Sequence, residues 1–238
     1  MKNTNIKKHF LKALYLDPQF SQTYYQLALI DNIEGDKKSA ESHLRQAIKL
    51  DLIKISNIEK KANNLIENFQ FQHANILFFK SQKVKNNCAK SYYTISSLYT
   101  EQNKISKAKE CLKKSINLNP KFSKSHREIG MLYLKEKKMD FTKKHLNLSL
   151  ELNYGDYKTH YYLGAFMIEN NFYDMAEQCF LASLDIKPNF VGSLVALVKL
   201  KFLMKENKEA RSYYKMVKNI SKNFKDETIE ELINKDGK

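Results

Sequence analysis

Large apolar and small side chains recur along this chain at a fixed interval. The clearest markers are three tetrapeptides that each contain a proline: DPQF at Asp17–Phe20, NPKF at Asn119–Phe122 and KPNF at Lys187–Phe190. Pro120 lies 102 residues after Pro18, and Pro188 lies 68 residues after Pro120, which are three and two multiples of 34. A fixed period of this length is typical of repeat architectures.

Cut at this period, residues 21–224 form six repeats without an insertion. Their bounds are 21–54, 55–88, 89–122, 123–156, 157–190 and 191–224. The eighth position is small in five repeats and valine in the sixth: Ala28, Ala62, Ser96, Gly130, Gly164 and Val198. The twenty-fourth position is large in all six: Leu44, Phe78, Leu112, Leu146, Phe180 and Tyr214. Positions 4 and 7 are mostly large as well, and positions 20 and 27 are mostly small.

This spacing predicts two helices in each repeat. Positions 4, 7, 8 and 11 share one face of a first helix, and positions 20, 24 and 27 share one face of a second helix. Gly130 and Gly164 fall inside a first helix, where glycine costs about 1 kcal/mol relative to alanine. We therefore interpret the alternation of large and small side chains as close contact between paired helices.

The repeat resembles the tetratricopeptide repeat (TPR) family. The family pattern has an aromatic residue, Leu-Gly and Tyr in the first helix, Ala-x3-Phe in the second helix, and then Pro. The resemblance covers residues 21–224; repeat 55–88 departs most, with Lys61 in place of leucine and Asn86 in place of proline. It implies an all-α fold, a right-handed α-solenoid of stacked antiparallel helix pairs (TPR superhelix), in which each repeat contacts only its neighbours.

The first twenty residues match half of a repeat. Residues 1–20 are predicted to supply only a second helix, whose positions are filled by Ile6, Phe10, Ala13 and Pro18. Terminal repeats of such stacks are expected to be atypical, because one of their faces meets water.

Residues 225–238 predict a C-terminal capping helix and tail. Ile229, Leu232 and Ile233 have the spacing of one face of an amphipathic helix. The first helix of the last repeat is unusually apolar, with Phe202 on the side that other repeats turn to a groove. Either the tail helix or a partner is expected to cover it.

The chain is strongly basic. It has 41 Lys and Arg against 26 Asp and Glu, a formal net charge of +15, and only three of the basic residues are arginine. Residues 101–145 alone carry +8, with basic runs such as Lys107–Lys114 on predicted second helices. Such a surface can bind an acidic protein, an anionic membrane or nucleic acid. The scarcity of arginine disfavours nucleic acid, because arginine makes the bidentate contacts to bases, and A/T-rich codons alone also yield a lysine-rich chain.

Cysteine usage and hydropathy indicate a soluble cytoplasmic protein. The three cysteines are Cys88, Cys111 and Cys179. Their odd number and wide spacing indicate free thiols in a reducing compartment. The N-terminus shows no signal-peptide pattern. The longest apolar stretch, Leu194–Met204, is interrupted by Lys199 and Lys201 and is too short for a transmembrane segment.

Catalytic and metal-binding motifs are missing from the sequence. It has no CxxC, HExxH, P-loop or GxSxG pattern. Position 23 of the repeat often holds histidine or cysteine: His9, His43, Cys111, His145 and Cys179. Equivalent positions on stacked helices lie about 10 Å apart, whereas zinc ligands lie about 2 Å from the metal. We therefore predict no enzymatic activity, no metal and no cofactor, and interpret His126 and His160, at position 4, as packed core residues.

The family resemblance implies a binding groove lined by the first helices at positions 2, 5, 9, 12 and 13. Residues at three of these positions form the predicted partner-binding groove: Tyr25, Asn63, Lys90, Tyr93, Lys124, Arg127, Lys158 and Tyr161. Lysine offers charge to a carboxylate, and tyrosine offers a rigid apolar ring with a hydroxyl. The carboxylate clamp and the asparagine ladder of specialised family members are not intact. A chain this rich in lysine also places lysine at such positions by chance, so a solvated face is the alternative.

These observations predict a non-catalytic scaffold or adaptor that binds a protein or peptide segment, acidic in character, in the groove. Two alternatives stay open: a regulatory or substrate-recognition arm of a larger enzyme, and an assembly factor for a membrane complex with peripheral membrane contact. Nucleic-acid binding is a third and less favoured hypothesis. The partner and the oligomeric state are not specified by the sequence.

Overall fold

Every regular element among the residues that the structure describes, 2–235, is an α-helix. In this computed structural model the helices are α1 (Lys2–Leu16), α2 (Ser21–Ile33), α3 (Lys37–Glu67), α4 (Phe71–Glu101), α5 (Ile105–Leu118), α6 (Ser123–Lys135), α7 (Met139–Leu152), α8 (Tyr157–Glu169), α9 (Tyr173–Ile186), α10 (Val191–Leu203), α11 (Asn207–Ile220) and α12 (Glu227–Lys235). Most helices that follow one another along the chain pack against each other, as α2 does with α3 and α8 with α9, which confirms the predicted all-α fold of helix pairs. The chain divides between Ser125 and His126 into an N-terminal and a C-terminal block.

The turn between the two helices of each repeat has the same backbone conformation. Its fifteenth residue has a positive φ, between 55° and 84°, in all six repeats: Gly35, Phe69, Asn103, Lys137, Asn171 and Lys205. The next backbone N–H then donates to a carbonyl five residues earlier, as from Lys138 to Tyr133 at 2.9 Å. This arrangement is the Schellman motif that ends helices. The period of 34 residues is thus present in the backbone as well as in the side chains.

Five of these six left-handed residues are not glycine, although glycine adopts this conformation without a steric penalty. We expect Lys137→Gly to raise the free energy of unfolding by about 0.5–1 kcal/mol, because relief of a penalty of roughly 1–2 kcal/mol exceeds the entropic cost of glycine. Urea unfolding followed by helical circular dichroism measures this change. Lys143→Gly, on an exposed face inside α7, is the control and should lose about 1 kcal/mol. A loss of stability in Lys137→Gly would contradict the expectation.

Buried hydroxyl pairs join consecutive repeats. Position 27 of one repeat contacts position 3 of the next in three junctions: Ser115 with Ser125 at 2.7 Å, Ser149 with Thr159 at 3.0 Å, and Ser183 with Ser193 at 2.8 Å. All six residues are fully buried. A buried hydroxyl is costly without a partner, so each pair fixes how the second helix of one repeat meets the first helix of the next. Ser81, in the second repeat, donates to Glu59 instead.

Helices α3 and α4 run through two of the predicted repeat boundaries, 54/55 and 88/89. Each is 31 residues long and combines the second helix of one repeat with the first helix of the next. The position that holds proline in the third and fifth repeats is Leu52 in the first repeat and Asn86 in the second. Neither residue restricts the backbone before it as proline does, so the helix can continue. Absence of proline permits this continuation but does not by itself cause it, because α7 and α11 end before Tyr154 and Lys222. The two long helices form one antiparallel hairpin, with Phe69 in its turn.

This hairpin brings the first and third repeats into direct contact. The Tyr99 hydroxyl donates to Glu41 at 2.7 Å and accepts from Arg45 at 2.6 Å, and Lys37 pairs with Glu101 at 2.6 Å. The expectation that each repeat contacts only its sequence neighbours is therefore wrong at this place. The second repeat, residues 55–88, forms the other half of the hairpin, which we call the distal arm. Its position-24 residue, Phe78, is 37% exposed, whereas the equivalent Leu112 is completely buried.

The C-terminal block is built around small residues beneath large ones. Gly130 of α6 lies against Leu146 of α7, and Gly164 of α8 lies against the ring of Phe180 of α9. Helix α12 packs on α10, and Ile229 of α12 is fully buried. The tail helix therefore covers part of α10, as one of the two expectations had it, while Leu203 at the end of α10 stays exposed. The last three residues of the predicted tail lie outside the described residues.

Candidate functional site

Two of the predicted groove residues, Tyr25 and Lys90, line one small cavity in the N-terminal block. This cavity, the polar notch, has a volume of about 260 Å³ and is lined by Ser21, Gln22, Tyr25, Gln26, Asp51, Asn87, Lys90 and Ser91. Asp51 forms its buried wall and accepts a hydrogen bond from the Ser21 hydroxyl at 2.5 Å. Burial raises the pKa of the Asp51 carboxyl above its ordinary value. The notch offers amides and one ammonium group, which suit the backbone and a carboxylate of an extended chain.

Two of the three tyrosines at position 5 are held by phenylalanines at the end of their own repeats. The ring of Tyr93 meets that of Phe122 edge-on at 5.4 Å, and the ring of Tyr161 meets that of Phe190 edge-on at 5.5 Å. Both tyrosines are half-buried, so each presents only part of its ring to a partner. The sequence signal for this pairing was the phenylalanine that ends the DPQF-like tetrapeptides.

The other predicted residues lie in different surroundings. Lys124 is exposed in the first turn of α6, and Lys158 is half-buried in the first turn of α8. Asn63 is exposed on the distal arm and is not among the residues that line the polar notch. The structure therefore brings together Tyr25 and Lys90 but not Asn63.

Arg127 is buried inside the C-terminal block. Its side chain is 5% exposed and pairs with Glu128 at 2.8 Å and with Asp156. Asp156 also caps α8, since its carboxylate accepts from the backbone N–H of Lys158 at 3.2 Å. A guanidinium held by two carboxylates has little capacity left for a ligand. The sequence pattern placed Arg127 at a groove position but could not show the carboxylates that surround it.

A second cavity lies between α3, α4 and α5 and was not predicted from the sequence. This basic cleft has a volume of about 640 Å³. Its floor is largely apolar: Ile48, Leu52, Ile53, Tyr92, Ile95, Tyr99 and Cys111. Its rim carries four cations and one carboxylate: Arg45, Lys49, Lys107, Lys114 and Glu110. The sequence signal was the basic run Lys107–Lys114, but part of the apolar floor, Ile48, Leu52 and Ile53, comes from the first repeat.

The cations of the basic cleft are not equally available. Arg45 pairs with Glu41 at 2.8 Å and Lys114 pairs with Glu110 at 2.6 Å, each one helical turn away. The Lys107 ammonium lies 5.9 Å from the centre of the Tyr99 ring. Burial raises the pKa of the Cys111 thiol to about 11, so this side chain stays neutral and belongs to the apolar floor. Lys49 and Lys107 are thus the cations best placed to meet an acidic ligand.

Two histidines of the fourth repeat contact each other. The Nδ1 atoms of His126 and His145 lie 3.1 Å apart, and the rings are stacked. Burial, followed by the charge of His126, lowers the pKa of His145 to about 4. Positions 4 and 23 therefore meet within one repeat, and His145 is a neutral packed side chain at neutral pH. Within residues 2–235 no group of three or more His, Cys, Asp or Glu is arranged to hold a metal ion.

None of the helices in residues 2–235 combines the length and the apolar character that a membrane crossing requires.

A family model described as tetratricopeptide repeat matches residues 21–53 and 89–122. These segments are the first and third repeats, the two that contact each other through the long hairpin. No curated protein matches the chain.

Solved structures with the same fold are similar to nearly the whole chain. A chain in the crystal structure of the APC/C hetero-tetramer Cut9–Hcn1 superposes with a TM-score of 0.72 at 18% identity, over 98% of this chain and 39% of that chain. YrrB, described as a TPR protein with an unusual peptide-binding site, gives 0.57 at 15% identity over 96% and 98%. Pseudomonas aeruginosa pilF gives 0.53 at 18% identity over 91% and 96%. At these identities the likeness is one of fold, and this chain spans about two fifths of the first of these proteins.

Proposed function

We propose that this chain, two segments of which match the tetratricopeptide repeat model, is a non-catalytic scaffold that holds an acidic segment of another protein. The observation that carries the proposal is the basic cleft, an apolar floor of about 640 Å³ beneath a rim of cations. Apolar concave sites with a few fixed polar groups are the usual form of a binding site. Because the rim is mostly cationic, the ligand is expected to carry negative charge.

An acidic segment with one or two large apolar side chains fits the cleft best. The apolar side chains would be buried on Leu52, Tyr92 and Ile95, where loss of contact with water supplies most of the affinity. Carboxylates on either side would meet Lys49 and Lys107, which steers association and selects against basic segments. Because both lysines are on the rim and solvated, their contribution is expected to decline as salt is added.

The polar notch is the second place at which such a segment could bind. It contains Tyr25 and Lys90 of the groove proposed from the sequence, and amides of Gln22, Gln26 and Asn87 could bond the backbone of an extended chain. The YrrB description shows that a protein of this fold can bind a peptide. The notch is smaller and less apolar than the basic cleft, so we place the main anchor in the cleft.

Selection from a random peptide library, followed by affinity measurement on the selected peptides, tests the proposal. We expect enrichment of Asp and Glu together with Leu or Phe. In Lys49→Glu/Lys107→Glu the affinity for those peptides should drop about tenfold or more, as expected for opposed charges at an interface. The matched control is Lys113→Glu/Lys121→Glu, which makes the same charge change at exposed positions that do not line the cleft.

Three groove variants test whether the acidic segment binds in the basic cleft or in the groove predicted from the sequence: Lys90→Glu, Lys124→Glu and Lys158→Glu. If these groove variants abolish binding while the cleft variant binds normally, the acidic segment lies in the groove that the sequence predicted. Failure to enrich acidic peptides at all would remove the proposed function.

A further inference from the structure

The end of the distal arm is apolar and almost uncharged. Among residues 62–79, ANNLIENFQFQHANILFF, the one Asp, Glu, Lys or Arg is Glu67, in a chain that is 28% charged. The same eighteen residues contain eight Leu, Ile or Phe. Phe69, in the turn, is 82% exposed, and Phe79 is 78% exposed. Ile66, Phe71 and Ile76 are exposed as well.

A collar of lysines surrounds the arm behind this apolar end. Glu59 of α3 accepts hydrogen bonds from Ser81 at 2.9 Å and pairs with Lys85 at 2.6 Å, which fixes the register of the two helices. In that register Lys60 and Lys61 of α3 lie at about the same height as Lys80 of α4, and all three are exposed. With a rise of 1.5 Å per residue, nine to eleven residues place this collar about 15 Å from the turn.

The exposed aromatic side chains are not among the residues buried between the two helices of the arm. The two helices meet here through small buried residues, Ala62, Ala74 and Ser81. Phe69 and Phe71 contact each other edge-on at 6.3 Å, and otherwise face solvent to a large extent. Contiguous exposed apolar surface on a soluble fold marks an interaction site.

We propose that the apolar end of the distal arm inserts into the surface of an anionic membrane. The phenylalanines of the turn would enter the boundary between headgroups and acyl chains, to a depth of about 5–10 Å. The lysine collar would then stand at the level of the lipid phosphates, because long lysine side chains extend towards them. The order of apolar end, then cations, follows the order of layers that a bilayer presents from inside to outside.

A helical protein partner fits these observations less well. An amphipathic partner helix needs an apolar stripe along one face of its site. Here the exposed apolar side chains come from α3 (Ile66), from the turn (Phe69) and from α4 (Ile76 and Phe79), so they lie on both helices between the turn and the lysine collar. The collar likewise draws lysines from both helices. This arrangement suits a surface that the arm enters end-on.

Tryptophan fluorescence gives a direct test, because the chain contains no tryptophan. Phe69→Trp in the full chain is mixed with vesicles of phosphatidylcholine alone or with one third phosphatidylglycerol. With the anionic vesicles we expect a blue-shifted emission and quenching by lipids brominated on their acyl chains. Phe172→Trp is the control, since Phe172 is an exposed phenylalanine of the fifth repeat, and its emission should not be quenched.

Flotation of the protein with the same vesicles tests the residues. Phe69→Ser/Phe79→Ser should reduce the bound fraction about tenfold, since it removes the apolar contribution to interfacial binding, and Lys60→Glu/Lys80→Glu should abolish the preference for anionic vesicles. All these positions are exposed, so circular dichroism should be unchanged. Equal binding of the phenylalanine variant, or absence of quenching at position 69, would overturn the proposal. Peptide binding in the basic cleft should be normal in these variants, which keeps this test separate from that of the proposed function.

Discussion

Gly164→Leu is expected to lower the free energy of unfolding by about 3 kcal/mol, at the upper end of the usual range for overpacking a core. A Cβ atom at position 164 would lie 2.5 Å from Cε1 and 2.8 Å from Cδ1 of the Phe180 ring. Phe180 is completely buried among Ala176, Leu197 and Leu200, so the ring has no free space into which it can move. Urea unfolding of the variant and of the wild type, followed by circular dichroism, measures the difference.

Gly130 offers a milder comparison within the same block. A Cβ atom there would lie 2.9 Å from Cδ2 of Leu146, which is the flexible end of a side chain. Gly130→Ala should therefore cost less than Gly164→Ala, and about 1 kcal/mol of improved helix propensity offsets part of the cost in both. Gly155→Ala, with only the Asn153 side chain at 3.6 Å, is the control and should be nearly neutral.

A second-site change tests the assigned contact. In Gly164→Leu/Phe180→Leu the smaller side chain at position 180 makes room, so the double variant should be more stable than the sum of the two single changes predicts. If Gly164→Leu unfolds at the same urea concentration as the wild type, the two helices do not meet at this position.

Arg127→Met is expected to cost about 3 kcal/mol, which is typical of removing one partner from a buried ion pair. The change leaves the Asp156 carboxylate, itself 7% exposed, without the guanidinium that neutralises it. Urea unfolding again provides the measurement. Lys124→Met, three residues earlier and exposed on the same helix, is the matched control and should change the stability by less than about 0.5 kcal/mol.

Removal of the stranded charge should rescue the Arg127 variant. Arg127→Met/Asp156→Asn no longer buries an unpaired carboxylate, and part of the lost stability should return. This outcome would establish Arg127 as a residue that holds the fourth and fifth repeats in place. Unchanged stability of Arg127→Met, together with loss of acidic-peptide binding, would instead restore the groove role that the sequence predicted.

Local signals allowed the sequence to predict the helix pairs correctly. Small residues such as Gly130 and Gly164 recur in the register that the structure uses for close contact, and both lie under the large residue of position 24. The left-handed turn residues repeat at the same interval, although only Gly35 among them is glycine. These turns can be predicted from the period of the repeat but not from the type of residue in the turn.

The basic cleft illustrates what local signals leave out. Its walls come from Arg45–Ile53 of the first repeat and from Tyr92–Lys114 of the third. These segments become neighbours because α3 and α4 continue through the second repeat. A prediction that stacks the repeats in chain order places the second repeat between them and therefore misses the cleft. The polar notch, whose Tyr25 and Lys90 were predicted groove residues, also joins these two repeats.

The sequence alone determined the helix pairs of this protein, their period of 34 residues and the small-to-large contacts within each pair, because these depend on side chains a few turns apart on neighbouring helices. Tertiary structure decided which repeats meet, that the Arg127 guanidinium is buried against the Asp156 carboxylate, and that Phe69 and Phe79 face solvent. The reason is physical: continuation of a helix and burial of a side chain depend on the sum of many contacts distant in sequence. A missing proline at Leu52 and Asn86 permitted the long hairpin, but only packing fixed it.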